Sequence, residues 1–336
     1  MSRLKKITFL LLIILFTFVL GPSWPIPKLN NLPKTSKYNI DDIQEIVYNK
    51  ENSIANLKPG NEAEIVWAND TNQVQTPYCF VYLPGFGASK GEGEPIHREI
   101  AARYGMNLFL ARLSKQGVYE EEPFLDLNEE ILVESAKEAI KISKTLGKKV
   151  IIVCTSTGAT LGFYLAANDS DIASIVAFSP NFDLADPLSW MLTGPWGLQL
   201  SRLVFGSKYR SFDANDTIKK WWINKYRIEG VITLKSLIKH TMTNEIFRSI
   251  NQPVYLSYHY KNENEKDKLI SIPRIIEAFD LFSTPNTKKR LVALGDVSGH
   301  CMASRFHSTE KQLDIVRKEC YSFIENVLQI SPLDSK

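Results

Sequence analysis

The chain has 336 residues, with 40 basic and 37 acidic side chains and a formal charge of +3. So even a balance, with no basic stripe interleaved with aromatics, leaves no electrostatic footprint for nucleic acid. At 44 % hydrophobic residues the sequence can bury the large core of one globular domain carrying additions, which excludes a disordered or fibrous chain.

At the N-terminus Arg3, Lys5 and Lys6 precede an uncharged apolar run from Ile7 to Leu20, followed by Gly21-Pro22-Ser23-Trp24-Pro25. The run falls between the length of a signal-peptide core and that of a spanning helix. No small-residue cleavage site follows, and Pro22 and Pro25 hinder cleavage. The expectation is therefore an uncleaved anchor approaching a short span, with Trp24 at the interface, the N-terminus cytoplasmic and the domain outside. The alternative is a removed signal and a secreted or periplasmic protein. Residues 1–37 are read as this segment plus a linker, with a proline- and asparagine-rich tether from Pro25 to Pro33.

Residues 38–180 read as alternating helix and strand. A charged helix is predicted over Ile40 to Leu57 and a strand over Glu62 to Trp67. The strand Tyr78 to Leu83 runs into Pro84-Gly85-Phe86-Gly87-Ala88-Ser89, a glycine-rich loop whose backbone can approach a substrate closely. Gly91-Glu92-Gly93-Glu94-Pro95 follows, and Glu94 and His97 are candidates for ordering that loop by hydrogen bonds. After a strand at Asn107 to Ala111 comes a long amphipathic helix, Leu127 to Leu146, ending at Gly147. The β-branched run from Val150 then breaks at Cys154-Thr155-Ser156-Thr157-Gly158 and resumes as a helix. This is the pattern of a nucleophile elbow, in which a sharp strand-to-helix turn projects a serine beside free backbone N–H groups. The usual G-x-S-x-G is altered, since Cys154 replaces the first glycine, and the bare motif also fits an ordinary β-turn-α connection with a capping hydroxyl. Ser174 to Phe178 is a further strand, closed by Ser179-Pro180-Asn181.

In residues 181–250 the alternation stops. This stretch holds Trp190, Trp196, Trp221 and Trp222, four of the six tryptophans, with helical patterns at Ile218 to Tyr226 and Val231 to Phe247. It reads as a helical insertion, with Trp190 and Trp196 as candidate substrate-binding residues or, alternatively, as packing within the insertion's own small core. In residues 251–330 the alternation returns. A strand at Pro253 to Tyr260 leads to a loop ending at Asp267, and a last strand, Arg290 to Leu294, leads to Gly295-Asp296-Val297-Ser298-Gly299-His300. Such alternation implies right-handed crossovers and a mostly parallel sheet flanked by helices.

The elbow, the glycine-rich loop and the chain order Ser156, Asp267, His300 together resemble the α/β-hydrolase superfamily, over roughly Glu62 to Leu328. The resemblance implies an α/β fold with a helical cap over the site. It implies Ser156 as nucleophile, His300 as general base and Asp267 as the acid that orients it, with the N–H groups of Phe86 and Thr157 as the oxyanion hole. It implies no cofactor, and an apolar small-molecule ester of the esterase and lipase type as substrate. Glu263, Glu265, Asp183 and Asp186 are alternative acids, and His307 is an alternative base. His97 and His259 lack ligand partners at metal spacing, so no metal is expected. The four cysteines, Cys79, Cys154, Cys301 and Cys320, show neither metal nor disulfide-scaffold spacing. Cys301, beside the candidate base, is a reactive thiol or simply packing. The competing classes are a catalytically silent binding protein of the same fold, hinted at by Cys154, and a peptidase or acyltransferase.

Overall fold

The computed structural model describes residues 3–29, 37–297 and 299–333; residues 30–33 of the expected tether lie outside them. The strands in chain order are β1 (Glu64–Val66), β2 (Thr76–Leu83), β3 (Asn107–Leu110), β4 (Gly147–Thr155), β5 (Ile172–Phe178), β6 (Tyr209–Ser211), β7 (Lys225–Arg227), β8 (Val254–Asn262), β9 (Glu265–Lys266) and β10 (Lys289–Leu294). The helices are α1 (Arg3–Val19), α2 (Ile43–Asn52), α3 (Ile96–Tyr104), α4 (Glu129–Leu146), α5 (Thr157–Ala166), α6 (Gly197–Phe205), α7 (Asp216–Trp221), α8 (Ile228–Thr241), α9 (Asn244–Ser249), α10 (Ile272–Leu281) and α11 (Glu310–Asn326).

Among the described residues, eight strands form one sheet in the order β1-β3-β2-β4-β5-β8-β10, with β9 paired to β8. β1 and β9 are antiparallel to their neighbours, and the other pairings are parallel. Both faces of this sheet are buried, which explains the near-continuous apolar runs in its central strands. Successive residues alternate between two cores: Cys79, Val81, Leu83, Ile152 and Cys154 pack toward α4, α5, α8 and α10, while Phe80, Tyr82, Ile151 and Val153 pack toward α3 and α11. The sheet therefore carries five loops to one edge, at the carboxyl ends of the adjacent strands β2, β4, β5, β8 and β10, where ligands bind in open parallel sheets.

Between β5 and β8 the chain leaves the sheet and forms α6 to α9 with the small antiparallel pair β6-β7. The helix predicted over Ile218 to Tyr226 stops at Trp221. There Trp222 takes an extended conformation and the Ile223 N–H donates to the Gly87 carbonyl at 2.8 Å, so a tertiary backbone bond overrides the helical pattern. The helix predicted over Val231 to Phe247 is two helices, because the Met242 carbonyl accepts from Arg274 at 2.7 Å and Thr243 caps a new start with its hydroxyl.

The apolar N-terminal run is helical as far as Val19, covering 17 residues. At 1.5 Å per residue that is about 25 Å, against a hydrocarbon core of about 30 Å. Among the described residues no helix is long and apolar enough to cross a membrane, so the expected span is not present as such. Leu4, Phe9, Leu12, Phe16 and Leu20 are exposed. The end of the segment touches the β5–β8 insertion: the Trp196 indole N–H donates to the Thr17 carbonyl at 3.2 Å and its backbone N–H to the Pro22 carbonyl at 2.8 Å.

One close approach fixes the elbow. A Cβ on Gly158 would lie 2.0 Å from the Leu83 carbonyl oxygen, so only glycine allows α5 to start against the end of β2. Gly158→Ala is expected to destabilise the fold by at least about 1–3 kcal/mol, read by chemical denaturation. Gly194→Ala, where a Cβ would meet nothing closer than 3.6 Å, should stay within about 0.5 kcal/mol of the parent.

Candidate active site

Ser156 sits between β4 and α5 with φ 53° and ψ −115°, a conformation that costs about 1–3 kcal/mol for a residue with a side chain. Its backbone is held from several directions. The Ser156 N–H donates to the Phe178 carbonyl at 3.1 Å, and its carbonyl accepts from Asn181 at 3.2 Å and from Ala159 at 2.9 Å. The turn thus aims a largely buried hydroxyl at the sheet edge. Cys154 does not disturb it. The thiol is fully buried, and it packs beside Gly162 of α5, where even a Cβ would meet Cys154 Sγ only at an ordinary contact distance of 3.8 Å.

Asp267 and His300 meet although 33 residues apart, with His300 Nδ1 and Asp267 Oδ2 at 2.7 Å. Asp267 is 3 % exposed, and its Oδ1 accepts from the Leu269 N–H at 2.9 Å. Burial alone would raise its pKa, but the His300 bond and charge and the Leu269 and Ile270 amides outweigh burial and hold it below the usual carboxylate range. For His300 burial disfavours the charged ring, and the Asp267 bond and charge, helped by the charge of Glu92, outweigh burial and raise its pKa. Ser179, left-handed at φ 44°, donates its hydroxyl to the His300 carbonyl at 2.7 Å and so ties the end of β5 to the base loop.

The alternative acids are occupied elsewhere. Asp183 pairs with Lys235, Asp186 accepts from the Leu188 N–H, Glu263 pairs with Lys266 and Glu265 with Lys261. His259 bonds the Leu294 carbonyl at 3.1 Å and links β8 to β10. His97, neutralised by burial with a pKa pushed down to about 4, bonds the Lys90 carbonyl at 2.8 Å and does order the turn after the glycine-rich loop. Glu94 instead pairs with Arg98. Among the described residues no group of three or more His, Cys, Asp or Glu side chains converges as a metal site.

Ser156 and His300 line a cavity of about 720 Å³. Its walls come from both sides of the cleft: Phe86 and Glu92 from the loop after β2, Asn181 after β5, and a largely apolar set from the β5–β8 insertion, including Leu200, Val204 and Phe205. Its aromatic wall is Phe86, Phe205, Phe212, Trp222 and Tyr226, not the two tryptophans expected from sequence. Trp190 is 62 % exposed beside a separate cavity near Asp183 and Lys235, and Trp196 packs on the N-terminal segment. The correction has a simple cause: α6 presents the face of Gly197, Leu200, Ser201, Val204 and Phe205 to the cleft, while Trp196, at the left-handed residue before the helix, is drawn to the N-terminal segment by the Thr17 and Pro22 carbonyls. Phe86 stacks with Phe124 and Tyr226 at centroid distances of 4.8 and 5.5 Å, fixing the loop that carries its N–H.

Sequence reasoning passed over Glu92. It is 2 % exposed, faces the cavity, and accepts from the Gly85 N–H at 2.6 Å and the Tyr82 hydroxyl at 3.0 Å. The available signal was its place between two glycines, Gly91 and Gly93, directly after the glycine-rich loop.

No family model and no curated protein matches the chain by sequence. Solved structures do match in shape. A metagenome-derived lipolytic enzyme superimposes with a TM-score of 0.60 at 13 % identity, over 80 % of this chain and 99 % of that one. A soluble variant of monoglyceride lipase from Saccharomyces cerevisiae gives 0.51 at 12 % identity, over 90 % and 98 %. The enol-lactonase of Burkholderia xenovorans LB400 gives 0.50 at 16 % identity, over 79 % and 97 %. With the parallel sheet, its strand order and the elbow after β4, these likenesses place the chain among the proteins of the α/β-hydrolase fold.

Proposed function

We propose that the chain is a serine hydrolase that cleaves a small apolar carboxylic ester through an acyl-enzyme intermediate. The observation that carries this reading is the bonded Asp267–His300 pair on the wall of one largely apolar cavity with Ser156 on its left-handed turn. Ser156 Oγ attacks the ester carbonyl as His300 takes its proton at Nε2. Asp267, accepting from Nδ1–H, holds the tautomer and favours the imidazolium that forms. The Phe86 and Thr157 N–H groups receive the developing oxyanion. His300 then protonates the departing alcohol, and water repeats the sequence to release the acid. The apolar walls favour acyl chains over charged substrates, while Asn181, buried with Oδ1 unpartnered among the described residues, offers a polar contact beside the serine.

The same reading includes attachment to a membrane. The exposed apolar side chains of α1 need a partner that is not water, and the end of its segment contacts the insertion that rims the cavity.

The purified protein is expected to hydrolyse short-chain aryl esters and to be labelled by a fluorophosphonate. Ser156→Ala should abolish labelling and lower kcat at least about 10³-fold; equal labelling in the variant overturns the mechanism. The acid gives a pH signature. Because His300 acts unprotonated and its pKa is raised, kcat/KM should fall on acidification from above the usual imidazole range of about 6.5. Asp267→Asn removes the bond and charge that raise it, so the acidic limb should move to lower pH while kcat drops about 10³–10⁴-fold. Glu263→Gln and Glu265→Gln should leave both unchanged.

Attachment is read by flotation of the full-length chain with lipid vesicles. Binding should survive high salt, because burial of apolar surface is not screened, and should be lost in a Leu12→Asp, Phe16→Asp double variant. Removal by salt alone would indicate a surface charge contact instead.

A further inference from the structure

The buried carboxyl of Glu92 is bound to nearly every part of the site. Oε2 accepts from the Gly85 N–H at 2.6 Å, one residue before the Phe86 amide, and from Tyr82, whose hydroxyl also lies 3.2 Å from Thr155 Oγ1 next to the serine. Oε1 lies 3.8 Å from Cys301 Sγ, the residue after His300, and Trp222 of the insertion lines the same cavity wall. The group is close to the reacting serine as well. The position a Cβ would take on Gly85 is 2.8 Å from Glu92 Oε1 and 3.3 Å from Ser156 Cβ.

A glutamine could accept from Gly85 and Tyr82 without burying a charge, which is costly in an apolar interior. What a carboxyl adds is its charge. We propose that Glu92 is a positioning residue for the hydrolysis reaction: it fixes the peptide that presents the Phe86 N–H, and it supplies a second carboxyl that favours the imidazolium of His300. This rests on the reading of Ser156 as nucleophile. Its logic lies in the tetrahedral intermediate, where an oxyanion and an imidazolium form together. Asp267 supports the imidazolium from the Nδ1 side, and Glu92 faces the same ring across the cavity from the loop after β2. The Gly85 and Tyr82 donors draw its negative charge toward the protein, away from the hole. Burial raises the pKa of Glu92, and the Gly85 amide and the His300 charge pull it back. The other titratable groups about His300 are the Cys301 thiol, His307, whose own protonation the His300 charge opposes, and Lys268 on the cavity wall.

The test compares the full-length parent protein with Glu92→Gln, Glu92→Ala and Glu92→Asp, reading kcat and KM separately, the pH profile of kcat/KM and the rate of fluorophosphonate labelling. Glu92→Gln keeps the hydrogen bonds and removes the charge. It should lower kcat about 10–10²-fold with KM within about twofold, and move the acidic limb to lower pH because His300 loses an anion. Glu92→Ala should show the same shift with a further loss of kcat, since Gly85 is released. Glu92→Asp keeps the charge and withdraws the reach, so the limb should stay near the parent's while kcat falls. A Glu92→Gln limb coincident with the parent's, or kcat losses that only follow the folded fraction, overturns the proposal. Should Glu92→Gln fold too poorly for kinetics, the Glu92→Asp profile decides, and a displaced limb there counts against it. A parent protein that neither reacts with the probe nor cleaves esters would instead overturn the serine-hydrolase reading itself.

Discussion

The whole arrangement hangs on the strand-to-helix turn at Ser156. A serine at φ 53° is unfavourable on its own and persists because the surroundings over-determine it. Gly158 lets α5 begin in contact with the Leu83 carbonyl, the Phe178 carbonyl takes the Ser156 N–H, and the Asn181 N–H takes the Ser156 carbonyl. Three parallel strands, β2, β4 and β5, therefore converge on one residue. The loops that leave β2 and β5 start from that convergence and are then tied down separately, the glycine-rich loop by the Gly85 N–H to Glu92 and the Ile223 N–H to the Gly87 carbonyl, and Ser179 by its N–H to the Ser257 carbonyl and its hydroxyl to the His300 carbonyl.

Electrostatics completes what the backbone begins. His300 lies where burial penalises its charged form, and the Asp267 carboxylate more than offsets that penalty, which is the balance a general base needs if it is to hold a proton briefly and give it up again. Asp267 can remain ionised at 3 % exposure because two backbone amides and the imidazole satisfy it. Glu92 repeats the pattern on the other side with a different donor set, and its bonds to Gly85 and Tyr82 couple the electrostatics of the base to the geometry of the oxyanion loop.

The insertion between β5 and β8 is tied to this machinery rather than laid over it. Ser89 and Ile223 exchange backbone bonds with its partners across the loop after β2, the Ser89 N–H to Trp221 and the Ile223 N–H to Gly87. Substrate contacts on the insertion and the position of the Phe86 amide are thus mechanically linked through a few residues. The exposed face of the insertion, with Leu203 and Val204 at 78 % and 79 % exposure, continues toward the N-terminal helix that touches it at Trp196.

Period, spacing and order in the sequence made the mostly parallel sheet, seven of its eight strands and the strand-to-helix turn at Ser156 legible, because each of these is a local property: buried parallel strands need apolar runs, and the turn needs small residues at fixed offsets. They also narrowed the acid and base to a few residues in two loops. The choice among those residues was a matter of distance in space. Asp267 differs from Glu263 and Glu265 in pointing inward from the end of β8, and nothing in the loop's composition encodes direction. The same limit explains Trp190 and Trp196, whose aromatic character was legible and whose positions are set by contacts outside the cavity, Trp190 beside Asp183 and Lys235 and Trp196 against the N-terminal segment. It explains Trp222 as well, where a backbone bond to Gly87 stopped a helix that its own residues favoured. Glu92 became visible only when the fold brought Gly85, Tyr82 and Cys301 around one carboxyl, since a residue's partners across 209 positions of chain are fixed by tertiary packing and by nothing local.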